Sequence, residues 1–394
     1  MTRITSPNTG ASSASIRRAG PAQGVLLLSM SCLSVLGAVL LAPMQPRMVD
    51  AFADQPGVAA LVPLVITVPA LMIGLLAPVA GRIVDRVGRL QLLTAALVVY
   101  AAFGTAPLWL NSLPLIVASR FGVGAAEAAI MTCCTTLLAD YFEGKERDRY
   151  LGLQMVFTSL SAVVFIAVGG ALGQVDWRAP FWLYSVSLVF AVLCPLLLWR
   201  PVAAAADASR DVPMRWRPLL IPLAVTFVGG ILFYAPIVEL SYLLDAIGVS
   251  SPGIIGLVSG FASAATALGA LLFSRISTWG PRRLLAASFL LIGAGLAGMG
   301  VGNTATSIAA GAIVASAGAG VLLPTLVTWV LSQLDFEQRG RGTGAWTASL
   351  FTGEFICPIL VIGLAALFGG LPPAIIVLGA ASAATALVVR TALR

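Results

Sequence analysis

Arg120, Glu127 and Glu354 stand alone in long apolar runs, the first two in LPLIVASRFGVGAAEAAIMT and the third in ASLFTGEFICPILVIG. If such runs cross a bilayer, each ionised side chain costs about 2.5 to 3.5 kcal/mol on insertion scales, so it is kept there for a task. The chemistry open to a carboxyl in that place is the pick-up and release of a proton. Arg120 and Glu127 are seven residues apart, which on a helix means a rotation of only about 20° and a rise of about 10.5 Å. They share one face, two turns apart, with room for a water chain or a solute between them. That face is expected to border a central cavity, because neither charge tolerates lipid. Glu127 or Glu354 is the expected carrier of a coupling proton, with Arg120 modulating it.

A second group of charges lies in GRIVDRVGRLQ at 81–91, between two apolar runs. Arg82, Asp85, Arg86 and Arg89 share it with Gly81 and Gly88, and it reads as a short hinge in which glycine permits the tight turn and close helix approach. A carboxylate such as Asp85 at a membrane surface can sit against the N-terminal end of another helix, whose partial positive charge favours it.

The elements that position these residues follow from hydropathy. Of the 394 residues, 59% are hydrophobic and 10% charged, against roughly 25% charged in an average globular protein. A spanning helix needs about 20 mainly apolar residues, because backbone polar groups out of reach of water must be satisfied internally. Twelve segments qualify: 23–43, 58–80, 90–110, 112–138, 151–173, 180–199, 218–240, 252–274, 283–302, 305–332, 343–367 and 371–390. Continuous runs such as AALVVYAAFG exclude the alternating strands of a membrane barrel. The first run is too long for a cleaved signal peptide.

Twenty of the 23 basic residues fall in the tail, hinges and linker on one side of these spans. The excess of cytoplasmic Lys and Arg then places both chain ends in the cytoplasm, and the protein in the cytoplasmic (inner) membrane. Basic residues scattered over hinges in this way make no nucleic-acid face. The five cysteines lie inside spans and form no disulfide framework. The absence of histidine removes the commonest general base and metal ligand, so no metal, cofactor or hydrolytic chemistry is expected. No P-loop points to ATP.

RPVAAAADASRDVPMRWRP, at 200–218, is the longest polar interval after the N-terminal tail. It divides the chain into a mobile tail at 1–22, a six-helix bundle at 23–199, a linker at 200–217 and a second bundle at 218–394. SRISTWGPRRLLAAS, at 274–288, repeats the earlier hinge with Gly280 in the place of Gly88 and Ser277 in the place of Asp85.

The pattern G-x-x-x-D-R-x-G-R, on Gly81, Asp85, Arg86, Gly88 and Arg89, resembles the signature loop of the major facilitator superfamily, with Leu90 where a basic residue is usual. Arg120 and Gly124 resemble that family's R-x-x-x-G signature in the fourth helix. DYFEGKERDRYLGLQ at 140–154 and DWRAPFWLY at 176–184 resemble its fourth-to-fifth and fifth-to-sixth connections. The likeness covers residues 23–392 and is nearest to the twelve-helix drug and metabolite proton antiporters. It implies an all-α membrane protein of two pseudo-symmetric six-helix bundles, the major facilitator fold. It further implies that Asp85 caps the eleventh helix near Arg341–Gly344, and that Arg89 reaches Asp140. Together they would form a latch closed when the halves meet on the cytoplasmic side.

In that frame the expected function is secondary active transport of a small organic molecule by alternating access, by proton-coupled efflux, with proton-coupled uptake of a metabolite as the alternative. Gly169 and Gly170 stand where exporters of this branch close a fifth-helix motif, while Phe165 and Ile166 replace its Gly-Pro pair. A membrane-embedded enzyme lacks paired acids or a nucleophile beside a base. A non-transporting receptor is not expected either, the tail and linker being too short to fold alone as a signalling domain. Candidate cavity residues besides the charges are Gln154, Tyr234, Trp329 and Trp346, with Glu239 at the end of the seventh span. Protons, the solute and the bilayer are the expected partners of a monomer.

Overall fold

The computed structural model describes residues 19–199, 214, 216–335 and 338–392, the side chains at 82, 85, 148 and 392 excepted. Most of the predicted tail and linker therefore lies outside the described residues. Twelve helical segments long and apolar enough to cross a membrane fill the remainder. Their main α-helices are α1 (Pro21–Val39), α2 (Val58–Val87), α3 (Arg89–Thr105), α4 (Leu113–Tyr141), α5 (Gly144–Gly173), α6 (Val186–Leu197), α7 (Leu220–Ala246), α8 (Pro252–Ile276), α9 (Pro281–Val301), α10 (Ala305–Ser332), α11 (Arg339–Phe368) and α12 (Leu371–Ala392). Residue 19, residue 392 and the turns at Gly88 and Gly280 lie at one end of the bundle, here termed proximal; the opposite end is distal.

Several expected boundaries move. The stretch at 81–91 is mostly helix: α2 runs unbroken to Val87 and α3 starts at Arg89, leaving Gly88 alone as the turn. Residues 82–87 contain no helix breaker, and charged side chains at a helix end need no loop to reach water. Gly88 has φ 92° and ψ 132°, and Gly280 has φ 82° and ψ 154°. Both conformations require a residue without Cβ, so the two hinges share one backbone solution as well as a sequence likeness. The first span breaks at Val39 and continues as a 3₁₀ turn (Ala42–Met44) and a short helix (Gln45–Ala51), because Pro43 and Pro46 cannot donate to the helical ladder. The sixth span opens as a 3₁₀ segment, Ala179–Ser185. The fifth begins at Gly144 and the seventh ends at Ala246, past their expected limits.

Helix contacts repeat between the halves. In the first, α2 and α3 pack on α4, α3 on α6 and α1 on α5; in the second, α8 and α9 pack on α10, α9 on α12 and α7 on α11. Between halves, α2 meets α11 and α5 meets α8, two contacts that the same symmetry exchanges.

Small residues set the closest of these approaches, as expected where lipid offers no hydrophobic drive for helix association. A Cβ on Gly353 of α11 would run into the Phe227 carbonyl of α7, and one on Gly230 of α7 into the Leu350 carbonyl of α11. Gly353→Ala is therefore expected to lower stability by about 1 to 3 kcal/mol, since a hydrogen-bonded helix backbone cannot step aside. Gly363→Ala, whose added carbon meets nothing within 4 Å, should be neutral or slightly stabilising. Thermal unfolding of the two purified variants checks this pair.

Candidate functional site

A cavity of about 310 Å³ lies between the halves, walled by α1 and α5 from the first and by α7, α8, α10 and α11 from the second. That volume is at the lower end of the range for small-molecule sites. Its walls are mainly aliphatic and aromatic, with the rings of Phe233 and Phe351 and the hydroxyls of Ser34 and Ser263 among them. Glu354 is the carboxylate on this wall. It is 3% exposed and has no hydrogen bond or ion pair among the described residues. Leu350, Phe351 and Glu354 all line the cavity, the i, i+1 and i+4 positions of one helix face.

Tyr234 also lines the cavity, and its hydroxyl donates to the Ala38 carbonyl of α1 at 3.1 Å, a bond that crosses from one half to the other. Nearer the distal end, Gln45 makes a second crossing: Nε2 donates to the Val238 carbonyl at 2.8 Å and to Ser241 Oγ at 3.2 Å. Neither Gln45 nor the cavity phenylalanines were singled out in the sequence. Phe351 stands three residues from Glu354, so helical periodicity from that acid would have found it, whereas Phe233, next to Tyr234 in the chain, has no such signal.

Arg120 and Glu127 are almost wholly buried but do not line the cavity. The expectation that their face borders it is corrected by the packing of α4, which is covered by α1, α2 and α3 of its own half. Arg120 turns towards the end of α3, where Nη2 donates to the carbonyls of Phe103 at 2.7 Å and Gly104 at 3.3 Å. A cation is favoured there because the last carbonyls of a helix are unpaired and partly negative. Its guanidinium carbon lies 5.4 Å from the Phe181 ring centre and 5.5 Å from that of Tyr184, within cation–π range.

Glu127 turns the other way. Its Oε1 accepts from the Gly37 N–H at 3.2 Å and from the Tyr100 hydroxyl at 3.3 Å. Gly37 is the residue that lets α1 approach, since a Cβ there would strike the carboxylate. The rings of Tyr100 and Tyr184, 5.0 Å apart, connect the two charged groups where a water chain or solute was expected. Arg120 Nη1, Glu127 Oε2 and the Tyr184 hydroxyl are buried without a hydrogen-bond partner among the described residues. Ser34, Val35, Ala38 and Val39 of α1 face the cavity while Gly37 faces Glu127, so α1 stands between this acid and the solute space.

The remaining candidates fall elsewhere. Gln154 is buried in the first half, donating to Ser31 Oγ at 2.8 Å and exchanging bonds with Thr135. Glu239 is 4% exposed and lies within α7 rather than at its end, and it is absent from the cavity wall. Trp329 lines a separate proximal pocket with Pro218 and Arg282. Trp346 packs on the small cluster of Leu219, Val330 and Leu334, its indole N–H unpartnered among the described residues.

At the proximal end Arg89 Nη1 forms an ion pair with Asp140. Both residues belong to the first half, so this contact does not require the halves to meet. Arg86 and Gly81 are exposed, while the side chains of Asp85 and Arg82 lie outside the described residues.

Comparison with known proteins agrees with the fold. The family described as Major Facilitator Superfamily matches residues 27–244 and 222–394. The chain is 26% identical over 368 residues to the class C tetracycline resistance protein of Escherichia coli, covering 86% of this chain and 89% of that one. It is 23% identical over 302 residues to multidrug resistance protein 1 of Bacillus subtilis, covering 73% and 76%. Among solved structures, a bacterial homologue of the human lysosomal transporter Spinster, in an inward-facing and unoccupied conformation, superposes with a TM-score of 0.73 at 14% identity, over 94% of this chain and 95% of that one. The chain belongs to the Major Facilitator Superfamily, and is a multi-pass membrane transporter rather than an enzyme.

Proposed function

We propose that this protein exports a small, largely apolar or weakly cationic organic molecule across the cytoplasmic membrane in exchange for protons, both chain ends lying in the cytoplasm. The observation that carries the reading is Glu354 on the wall of an apolar cavity shared by both halves. A carboxylate there is neutralised either by a proton or by a cationic solute, so the two compete for one place, and competition of that kind is what antiport requires. The names of the two relatives, which describe resistance to tetracycline and to multiple drugs, support efflux. The replacement of the exporters' Gly-Pro pair by Phe165 and Ile166 favours proton-coupled uptake as the second reading.

Alternating access follows if the halves rock about the cavity, as in the repeat-built transporters. The bundles at 23–199 and 218–394 are the moving bodies, joined by the linker at 200–217. The α5–α8 and Gln45 contacts then close the distal mouth. The α2–α11 contact, with Asp85 as its latch, closes the proximal one.

The sign of coupling is tested in proteoliposomes with tetracycline and ethidium as probes. An exchanger accumulates probe when the lumen is made acidic, whatever the insertion direction, and loses accumulation when the gradient is reversed. Accumulation only with an acidic exterior establishes symport and overturns the proposal.

A further inference from the structure

The second half carries a basic groove apart from the central cavity. At the proximal ends of α9 and α12 lies a groove of about 440 Å³ lined by Arg282, Arg283, Ala286, Ala287, Leu290 and Arg390. Three cations meet there with no acid on the wall. The three arginines are exposed, and among the described residues none of them makes an ion pair or hydrogen bond. Like charges gathered without a counter-charge repel one another, and a bound anion removes that cost. Guanidinium forks match the oxygens of a phosphate in geometry as well as charge.

The floor of the groove identifies the source of the anion. Arg283, Ala287 and Leu290 follow one another at helical spacing down a single face of α9, so the groove passes from charge to hydrocarbon as it leaves the proximal surface. Leu290, Leu387 and Val388 are more than half exposed, continuing an apolar face towards mid-span on both helices. The helices themselves are locked together, Ser382 Oγ donating to the Phe289 carbonyl at 2.6 Å. A free phosphate would fill the charged end and leave this floor empty.

We propose that the groove between α9 and α12 holds an anionic glycerophospholipid of the proximal leaflet, its phosphate on Arg282, Arg283 and Arg390 and an acyl chain along Ala286, Ala287 and Leu290. Basic pockets at the membrane boundary between spanning helices recognise such headgroups. The site lies outside the central cavity and does not depend on the direction of transport.

The test follows the unfolding midpoint of the purified full chain in neutral detergent while dioleoylphosphatidylglycerol is titrated in. Dioleoylphosphatidylcholine, which has the same chains, and inorganic phosphate form the comparison arms. Phosphatidylglycerol should raise the midpoint saturably and beyond either comparison. Arg283→Gln with Arg390→Gln should raise its half-saturating concentration about fivefold for each arginine removed, the equivalent of about 1 kcal/mol per basic residue. Arg147→Gln with Arg149→Gln, an equal loss of charge on the exposed start of α5, should leave that concentration unchanged. If the double variant does not fold, Arg390→Gln alone decides at fivefold. Equal stabilisation by phosphatidylcholine overturns the proposal, as does an equal shift in the α5 variant. So does full stabilisation by inorganic phosphate, which would make the groove a soluble-anion site.

Discussion

Glu354→Gln is expected to reduce proton-driven accumulation of probe in proteoliposomes at least tenfold, while leaving the fold and the binding of neutral solutes intact. Glutamine has the shape of the acid but no proton to release. The side chain faces the cavity without a hydrogen-bond partner among the described residues, so the change leaves no buried group newly unsatisfied. Glu127→Gln is the informative comparison. Its carboxylate is separated from the cavity by α1, and the oxygen that accepts from Gly37 and Tyr100 has a counterpart in glutamine. Transport by that variant is expected to stay within about threefold of the parent, on the argument that an acid away from the solute exchanges nothing with it. Loss of coupling in Glu127→Gln with retention in Glu354→Gln would transfer the proton to the buried acid of the first half and refute the cavity assignment.

Gly170→Val is expected to hold the distal mouth open. Gly170 is where α5 touches α8 across the two halves: a Cβ there would lie 2.6 Å from the Pro252 carbonyl oxygen and 2.9 Å from the Gly256 Cα. Backbone cannot yield at those distances, so the larger side chain acts as a wedge between halves rather than a fault within one. The variant should fold and fail to cycle, with transport reduced at least tenfold. A cysteine placed at Ala42, on the cavity wall, should react from the distal side continuously rather than intermittently. Gly260→Val, whose added Cβ has no neighbour within 4 Å, is the control and should transport normally. Parental rates in Gly170→Val would mean that the α5–α8 contact is no gate.

Hydropathy alone placed twelve spans, because a bilayer of fixed thickness demands about 20 apolar residues from every crossing. It placed the turns less well: the charges of 81–87 read as a loop, yet they end a helix whose last turns leave the apolar zone without breaking. The two glycines at 88 and 280 were legible, since a positive φ leaves few alternatives. The isolated acids and Arg120 were legible as well, because the cost of burying charge makes each one conspicuous.

Which way those side chains point was decided by tertiary structure. Periodicity gives the angle between two residues on a helix but not the azimuth of the helix in its bundle, so Arg120 and Glu127 could share a face and still look away from the cavity. Their surroundings, the end of α3 on one side and Gly37 of α1 on the other, come from helices 16 or more residues away in the chain, and no local spacing encodes them. The cavity has six walls drawn from both halves, so its lining exists only once the halves have met, and Glu354 became distinguishable from Glu127 and Glu239 only at that point.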